Sequence, residues 1–163
     1  MIKHTSTLEY FEYQSVKELD PSDQELHKIA VDALAGSYAP YSRYRVASSI
    51  LLENGEIVIG SNQENAAYPS GLCAERVAIF SASSNFPSIR IKTLLIVVSS
   101  LDFEVSDPAA PCGACRQAIL EYEIKQDSSI RIILVSDTGR VLVIPSCKDL
   151  LPIYFIEDQL KKD

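Results

Sequence analysis

Cys73-Ala74-Glu75 and Pro111-Cys112-Gly113-Ala114-Cys115 are the segments of this 163-residue chain whose residue types and spacing can do chemistry. Cys112 and Cys115 lie three apart, so at the start of a helix both sulfurs can face one point. A helix N-terminus also favours thiolate over thiol. Cys73 opens a second predicted helix and gains the same help. If the two helices lie side by side with their N-termini together, three thiolates converge. Structural zinc sites use four protein ligands, whereas catalytic sites use three and keep a position for water. No fourth ligand is evident. Cys147 stands outside the pattern, and His4 and His27 sit in unrelated segments. Cys73, Cys112 and Cys115 therefore suggest one catalytic Zn²⁺ per subunit. The plainer alternatives are a structural zinc site or buried thiols.

Glu75 falls two residues after Cys73, on the first turn of its helix. From there it can point at the open position without ligating the metal, and can take a proton from water and deliver it elsewhere. The plainer alternative is a carboxylate that serves the helix dipole. Three thiolates around Zn²⁺ leave a net charge of −1, which makes the metal a poorer Lewis acid. The two helix N-termini and a neighbouring cation should compensate. Arg76 follows Glu75, and Arg116 follows Cys115. The expectation is that at least one, Arg76 by preference, hydrogen-bonds a ligand sulfur. The alternative is that both make surface ion pairs.

The elements that must position these residues are legible in outline. A helix is predicted from a cap at Asp20 or Ser22 to about Tyr38, with Leu26, Ile29, Ala30, Ala33 and Leu34 on one stripe. Residues 45–60 read as a β-hairpin with a two-residue turn at Asn54-Gly55. A loop spans Ser61 to Leu72, then a helix runs from about Cys73 to Ser83. Thr93 to Val98 is a nearly continuous apolar run, as in a centrally buried strand. After a loop through Pro108 and Pro111, a helix spans about Cys112 to Ile124. Ile130 to Val135 and Arg140 to Ile144 are strands joined at Asp137-Thr138-Gly139, and short helices are placed at 147–151 and 156–162. The order α-β-β-α-β-α-β-β describes an α/β layered fold with one mixed sheet. Residues 1–20 read as an N-terminal extension, a short strand or an ordered arm, on a single domain spanning 1–163. Cys147 reads as a buried small apolar residue, and His4 and His27 as surface residues.

Composition narrows the partners. The net charge is −7, and the 15 basic residues are scattered. Their only cluster is Lys161-Lys162. Nucleic acid and anionic membrane surfaces, which need a basic face, are disfavoured. A small neutral ligand meets no such penalty. No apolar run reaches the roughly 20 residues of a membrane span, and the first residues lack the roughly 7–15-residue apolar stretch of a signal peptide. The chain is expected to be cytoplasmic.

Taken together, several segments resemble the small zinc cytidine deaminases that act on free nucleosides. They are Tyr38-Ala39-Pro40-Tyr41-Ser42, Gly60 to Tyr68, Cys73-Ala74-Glu75-Arg76, Pro111 to Gln117 and Leu150 to Phe155. The acidic residue two after the first ligand and the later Pro-Cys-x-x-Cys are a known signature of zinc deaminases. The resemblance implies a three-layer cytidine-deaminase-like fold, with a mixed five-stranded sheet and helices on both faces. It implies hydrolysis of cytidine or deoxycytidine to uridine or deoxyuridine and ammonia, in pyrimidine salvage. It places Asn62 and Glu64 on the ribose hydroxyls, Glu75 on the pyrimidine N3 and amino group, and Tyr44 and Ala74 in the base pocket. Tyr68 and Phe155 would act across subunit boundaries of a homotetramer with shared active sites.

The chain departs from that pattern at Tyr44, where Phe is usual, at Ala47-Ser48-Ser49 for Gly-Ala-Ala, and at Gln63, usually apolar. For Asn62 and Glu64 the alternative is turn and capping chemistry; for Tyr44 and Phe155 it is ordinary core packing. Three rival functions share parts of the pattern. A deaminase of a cytosine nucleoside antibiotic such as blasticidin S is disfavoured by the Asn62/Glu64 pair. A polynucleotide deaminase is disfavoured by the acidic balance. A non-catalytic, zinc-stabilised binding module would leave Glu75 without a task.

Overall fold

The computed structural model describes residues 1–160. Its elements run β1 (Phe11–Tyr13), α1 (Pro21–Ala33), β2 (Tyr44–Leu52), β3 (Ile57–Ser61), α2 (Ala74–Asn85), β4 (Ile91–Ser100), α3 (Gly113–Lys125), β5 (Arg131–Val135) and β6 (Val141–Ile144). The strands form one sheet in the order β1-β6-β5-β4-β2-β3. β4 and β5 are parallel, and every other pairing is antiparallel. The parallel pair needs a long crossover, which α3 supplies.

Alternation along β4 explains its unbroken apolar run. Leu94 and Ile96 face α2 and α3, packing with Ile50, Ile79, Ile119, Ile132 and Leu134. Leu95 and Val97 face α1, packing with Leu26, Ala30, Ala33, Ala47 and Ile133. Helices on both faces make the three layers expected.

The sheet has six strands rather than five among the described residues. The additional one is β1, from the segment read as an extension. It pairs with the β6 edge in the register Phe11↔Val143 and Tyr13↔Val141.

Three boundaries differ from expectation. α1 ends at Ala33, not near Tyr38, and a 3-10 turn at Leu34–Gly36 follows. Ser61 Oγ donates to the Ala33 carbonyl at 2.6 Å. The Tyr38 backbone pairs instead with the segment after β3, through Tyr38 N–H to Asn62 O (2.9 Å) and Glu64 N–H to Tyr38 O (2.8 Å). The β2–β3 turn has three residues, Glu53 to Gly55. Gly55 N–H donates to Leu52 O (3.0 Å) and Leu52 N–H to Glu56 O (2.9 Å). Gly55 takes the left-handed position, φ 88°, that closes such a loop. The two terminal helices are 3-10 turns at Cys147–Leu150 and Glu157–Gln159; Lys161 and Lys162 lie outside the described residues.

Asp20 is the N-cap of α1, with Pro21 opening the helix. Asp23 is buried and accepts two hydrogen bonds from Arg131, at 2.9 and 2.7 Å, which fastens α1 to β5.

One close approach sets the height of α2 above the sheet. Gly60 pairs with Ser48 across the β2–β3 ladder. A Cβ on Gly60 would stand 2.4 Å from Ala78 N and 2.6 Å from Ala74 O, both backbone atoms of α2. Gly60→Ala is therefore expected to lower the unfolding free energy by about 1–3 kcal/mol, as overpacking does. The readout is the urea midpoint. An unchanged midpoint would show that α2 can lift from β3 without penalty.

Candidate metal centre and substrate cleft

The two helices that flank the cysteines begin where the sequence places them. Cys73 is the N-cap of α2 and Cys112 the N-cap of α3; Cys115 lies in the first turn of α3. The Cys73 carbonyl accepts from Arg76 and Val77 N–H, and the Cys112 carbonyl from Arg116 N–H. Both helix starts therefore present their positive ends to the same place. The three sulfurs lie within 4.8 Å of one another. Cys112 Sγ is 3.4 Å from Cys115 Sγ and 4.0 Å from Cys73 Sγ. Tetrahedral zinc with Zn–S bonds of about 2.3 Å puts its sulfurs about 3.8 Å apart, so the three donors fit a zinc ion. Cys115 is buried, Cys73 half-buried and Cys112 exposed to the cleft.

The cluster already shares protons and charge. The Cys73 thiol is pulled down to about 5, by hydrogen bonding from Cys115 above all, with help from Arg76 and Cys112. Cys115 is pushed up by the same pairing and by burial. Burial works against the charge on Arg76, but contact with the Cys73 and Cys115 sulfurs outweighs it and raises its pKa. Its Nε is buried without a hydrogen-bond partner among the described residues. An orphaned cationic donor beside a sulfur cluster suits an anionic metal–thiolate centre.

Arg116 makes no ion pair among the described residues, unlike the surface reading of it. Its Nε donates to Pro111 O (2.8 Å) and its Nη1 to Leu150 O (3.0 Å), so it clamps the loop entering α3. Cys147 is not part of the cluster. It is buried, its Sγ donates to Arg116 O at 3.3 Å, and burial pushes its thiol up to about 12. His4 is exposed, whereas His27, on α1, is half-buried, and burial lowers its pKa.

A cleft of about 810 Å³ opens beside the sulfurs. Glu75, only 4% exposed, lines it together with Cys73, Cys112 and Arg76. Burial raises the Glu75 pKa; its own N–H opposes that rise, and Cys73 adds to it. Val46, Ile96 and Val98 supply the apolar lining, and Tyr41, Tyr44, Asn62, Glu64 and Tyr68 also line the cleft. Glu64 accepts from the N–H groups of Tyr41 (2.9 Å) and Ser42 (3.3 Å). Asn62 Oδ1 accepts from Val46 N–H (3.0 Å), and its Nδ2 donates to Tyr44 O (2.9 Å). A carboxamide has a second N–H and a second lone pair, so Asn62 can hold β2 and still offer a donor to the cleft. Tyr44 packs against Phe103, ring centroids 6.3 Å apart, and Tyr68 meets Tyr41 edge-on at 6.0 Å.

Two residues of the expected set do not line the cleft of their own chain. Ala74, the first residue of α2, is fully buried and does not line the cleft. Phe155 is half-exposed and away from it, and its carbonyl accepts from Gln117 Nε2 at 2.9 Å. Sequence reasoning missed the apolar lining, because an all-apolar strand gives no sign of which residues meet a cavity. It also missed Glu123, which is 1% exposed. Glu123 accepts from Ile130 N–H and Cys147 N–H (2.8 Å each) and from Ser146 Oγ (2.5 Å), and so locks α3 to the strand and turn beneath it.

The family model for the cytidine and deoxycytidylate deaminase zinc-binding region matches residues 20–128. A cytidine deaminase of Sporosarcina psychrophila is 43% identical over 124 residues, 76% of this chain and 84% of the relative. One of Halalkalibacterium halodurans is 41% identical over 98 residues, 60% of this chain and 70% of the relative. Among solved structures, cytidine deaminase from Burkholderia pseudomallei superposes with a TM-score of 0.70 at 35% identity, covering 81% of this chain and 98% of that one. That of Mycobacterium tuberculosis gives a TM-score of 0.63 at 31% identity, with 84% and 99% covered.

Cys115→Ser is expected to bring the zinc content of the purified protein well below one ion per chain, read by elemental analysis, with the circular dichroism of the fold retained. A variant that keeps full zinc would remove Cys115 from the ligand set.

Proposed function

This chain belongs to the cytidine and deoxycytidylate deaminase zinc-binding family, and we propose that it hydrolyses free cytidine and deoxycytidine to uridine and deoxyuridine, releasing ammonia, in pyrimidine salvage. The observation that carries the reading is a buried carboxylate, Glu75, at the wall of a cleft roomy enough for a nucleoside, beside three converged cysteine sulfurs. Zinc held by Cys73, Cys112 and Cys115 supplies, when bound, the Lewis acidity that readies a water for attack near neutral pH.

The chain's own residues do the rest. Glu75 takes the proton of the attacking water and passes it to N3 of the pyrimidine as oxygen bonds to C4. It then takes the second proton from that oxygen and hands it to the amino nitrogen, and the C4–N bond breaks to release ammonia. One carboxylate acts as base and then as acid, which suits a group that burial holds above the usual carboxylate range. Arg76 and the two helix N-termini offset the excess negative charge of the thiolates. Glu64, which accepts from Tyr41 and Ser42, and the free side of Asn62 would meet ribose hydroxyls. Tyr44 and the apolar lining would hold the base. The ribose-directed pair favours an ordinary nucleoside over a modified-sugar antibiotic, and the net charge of −7 disfavours a polynucleotide.

Two features support a homotetramer with shared sites. Tyr68, at the rim of the cleft, is 77% exposed. Phe155 is 53% exposed and does not line the cleft of its own chain, as suits a residue serving a neighbour's site. The reading takes 1–163 as one catalytic domain acting in the cytoplasm. No helix among the described residues is long and apolar enough to cross a membrane.

Glu75→Gln is expected to lower kcat on cytidine by at least about 10²–10⁴-fold, the range for a lost acid–base group, while zinc content stays unchanged. The assay follows loss of cytidine absorbance. A zinc-loaded wild type that leaves free cytidine untouched would overturn the reading. Light scattering is expected to give four times the chain mass of 18.0 kDa, and Phe155→Ala to raise KM more than it lowers kcat. A fully active monomer would remove the shared-site arrangement and leave the chemistry standing.

A further inference from the structure

The loop between β4 and α3, residues 101–112, delivers Cys112 and Cys115 to the cluster, yet it belongs to no strand or helix. It is held from the side by the turn between β5 and β6. Asp137 N–H donates to Val105 O at 3.1 Å, and Thr138 Oγ1 donates to Ser106 O at 3.3 Å. Arg140, where that turn enters β6, donates through Nη1 to Asp107 of the loop. The turn is itself tied down. Arg140 N–H donates to Ser136 Oγ at 3.0 Å, and Ser136 N–H donates to Arg140 O at 2.9 Å.

The same guanidinium reaches the other way. Arg140 Nε donates to Glu12 Oε1 at 2.9 Å, and Glu12 lies on β1. One side chain thus joins the N-terminal strand to the loop that carries two of the three cysteines. A second contact runs in parallel. Ser6, Leu8 and Tyr10 line a cavity of about 530 Å³ whose walls include Ala110 and Arg116, on either side of the Pro111-to-Cys115 turn. Arg116 holds the Pro111 carbonyl. All of β1 precedes the segment that matches the family model, which begins at residue 20.

We propose that Glu12 and Arg140 are positioning residues for the metal centre, with β1 acting as a strap that holds Asp107 and so fixes the loop that brings Cys112 to zinc. The inference rests on the zinc reading of the cysteines and not on the identity of the substrate. Separate exposed ion pairs would contribute little. Here a single planar fork bridges two carboxylates on different segments, a geometry that lysine cannot copy.

The test is the rate at which zinc-loaded, full-length protein gives up its metal to a chromogenic chelator. Glu12→Gln, Arg140→Gln and Asp107→Asn are each expected to speed release by about threefold to tenfold. The pair Glu12→Gln with Arg140→Gln should add little beyond Arg140→Gln alone, because they break one network. Arg140→Lys should restore only part of the slow release. Asp23→Asn, which breaks the ion pair between α1 and β5, is the control for general loosening. Release within twofold of wild type in all three single variants would overturn the proposal. So would faster release that merely matches the control at equal loss of thermal stability. Should Arg140→Gln fail to fold, Asp107→Asn, on an exposed side chain, carries the same test. A zinc-loaded wild type without cytidine turnover would sink the deaminase reading and leave this comparison intact.

Discussion

Three cysteine sulfurs within 4.8 Å of one another repel once they are deprotonated, and the two helices that begin at Cys73 and Cys112 offset that repulsion. Bringing two helix N-termini to one point is a demand on the whole chain. α2 must arrive from the β3 edge and α3 from β4, so both pack on the same face of the sheet. α2 can come down to the required height only because Gly60 leaves its backbone room. α3 is fastened at both ends. Arg116 clamps the loop at its start, and Glu123 gathers the N–H groups of Ile130 and Cys147 near its end. A buried carboxylate that accepts that many hydrogen bonds ties together the segments that donate them. The metal site is therefore built by packing remote from it as much as by its own residues.

How much of this was legible in the sequence depends on how local each signal is. The cysteine spacing, the carboxylate beside Cys73 and the helix starts are short-range facts, and the structure has them within a residue or two. The α2 and α3 spans and the two-faced β4 run followed from periodicity in the same way. The early end of α1 did not, because it is decided by Ser61 and by pairing of Tyr38 with residues 62–64, far along the chain. The three-residue turn at Glu53 to Gly55 depends on ladder register, which a dipeptide signal leaves open. β1 showed only partial alternation, and its pairing with β6 spans most of the sequence.

The site shows the same division. Cys73, Cys112, Cys115 and Glu75 converge as their spacing suggests. Arg116 and Glu123 read as ordinary charges on helical faces, and burial alone reveals what they hold. Glu123 in particular sits on α3 where a polar residue is normally solvated, and no periodicity marks it. Ser48 remains buried without a hydrogen-bond partner among the described residues, on the face beneath α2. Such a group normally destabilises a core, and the structure offers no physical account of it.

The two carboxylates of the cleft are pushed in opposite directions by their surroundings. Glu64 is held below the usual carboxylate range by the Ser42 side chain and by the backbone N–H groups of Tyr41 and Ser42, against a modest opposing effect of burial. An anion so placed accepts hydrogen bonds and gives up no proton. Glu75, deep in the cleft, is pushed the other way by burial, with the Cys73 charge adding to the rise. A carboxyl raised toward neutrality can hold a proton long enough to deliver it. In the proposed reaction the sugar end of the cleft therefore meets a fixed acceptor and the base end a proton carrier. The difference arises from depth: Glu64 stands by the Tyr41–Ser42 turn, whose backbone N–H groups donate to it, and Glu75, in the first turn of α2, is buried beside the sulfurs.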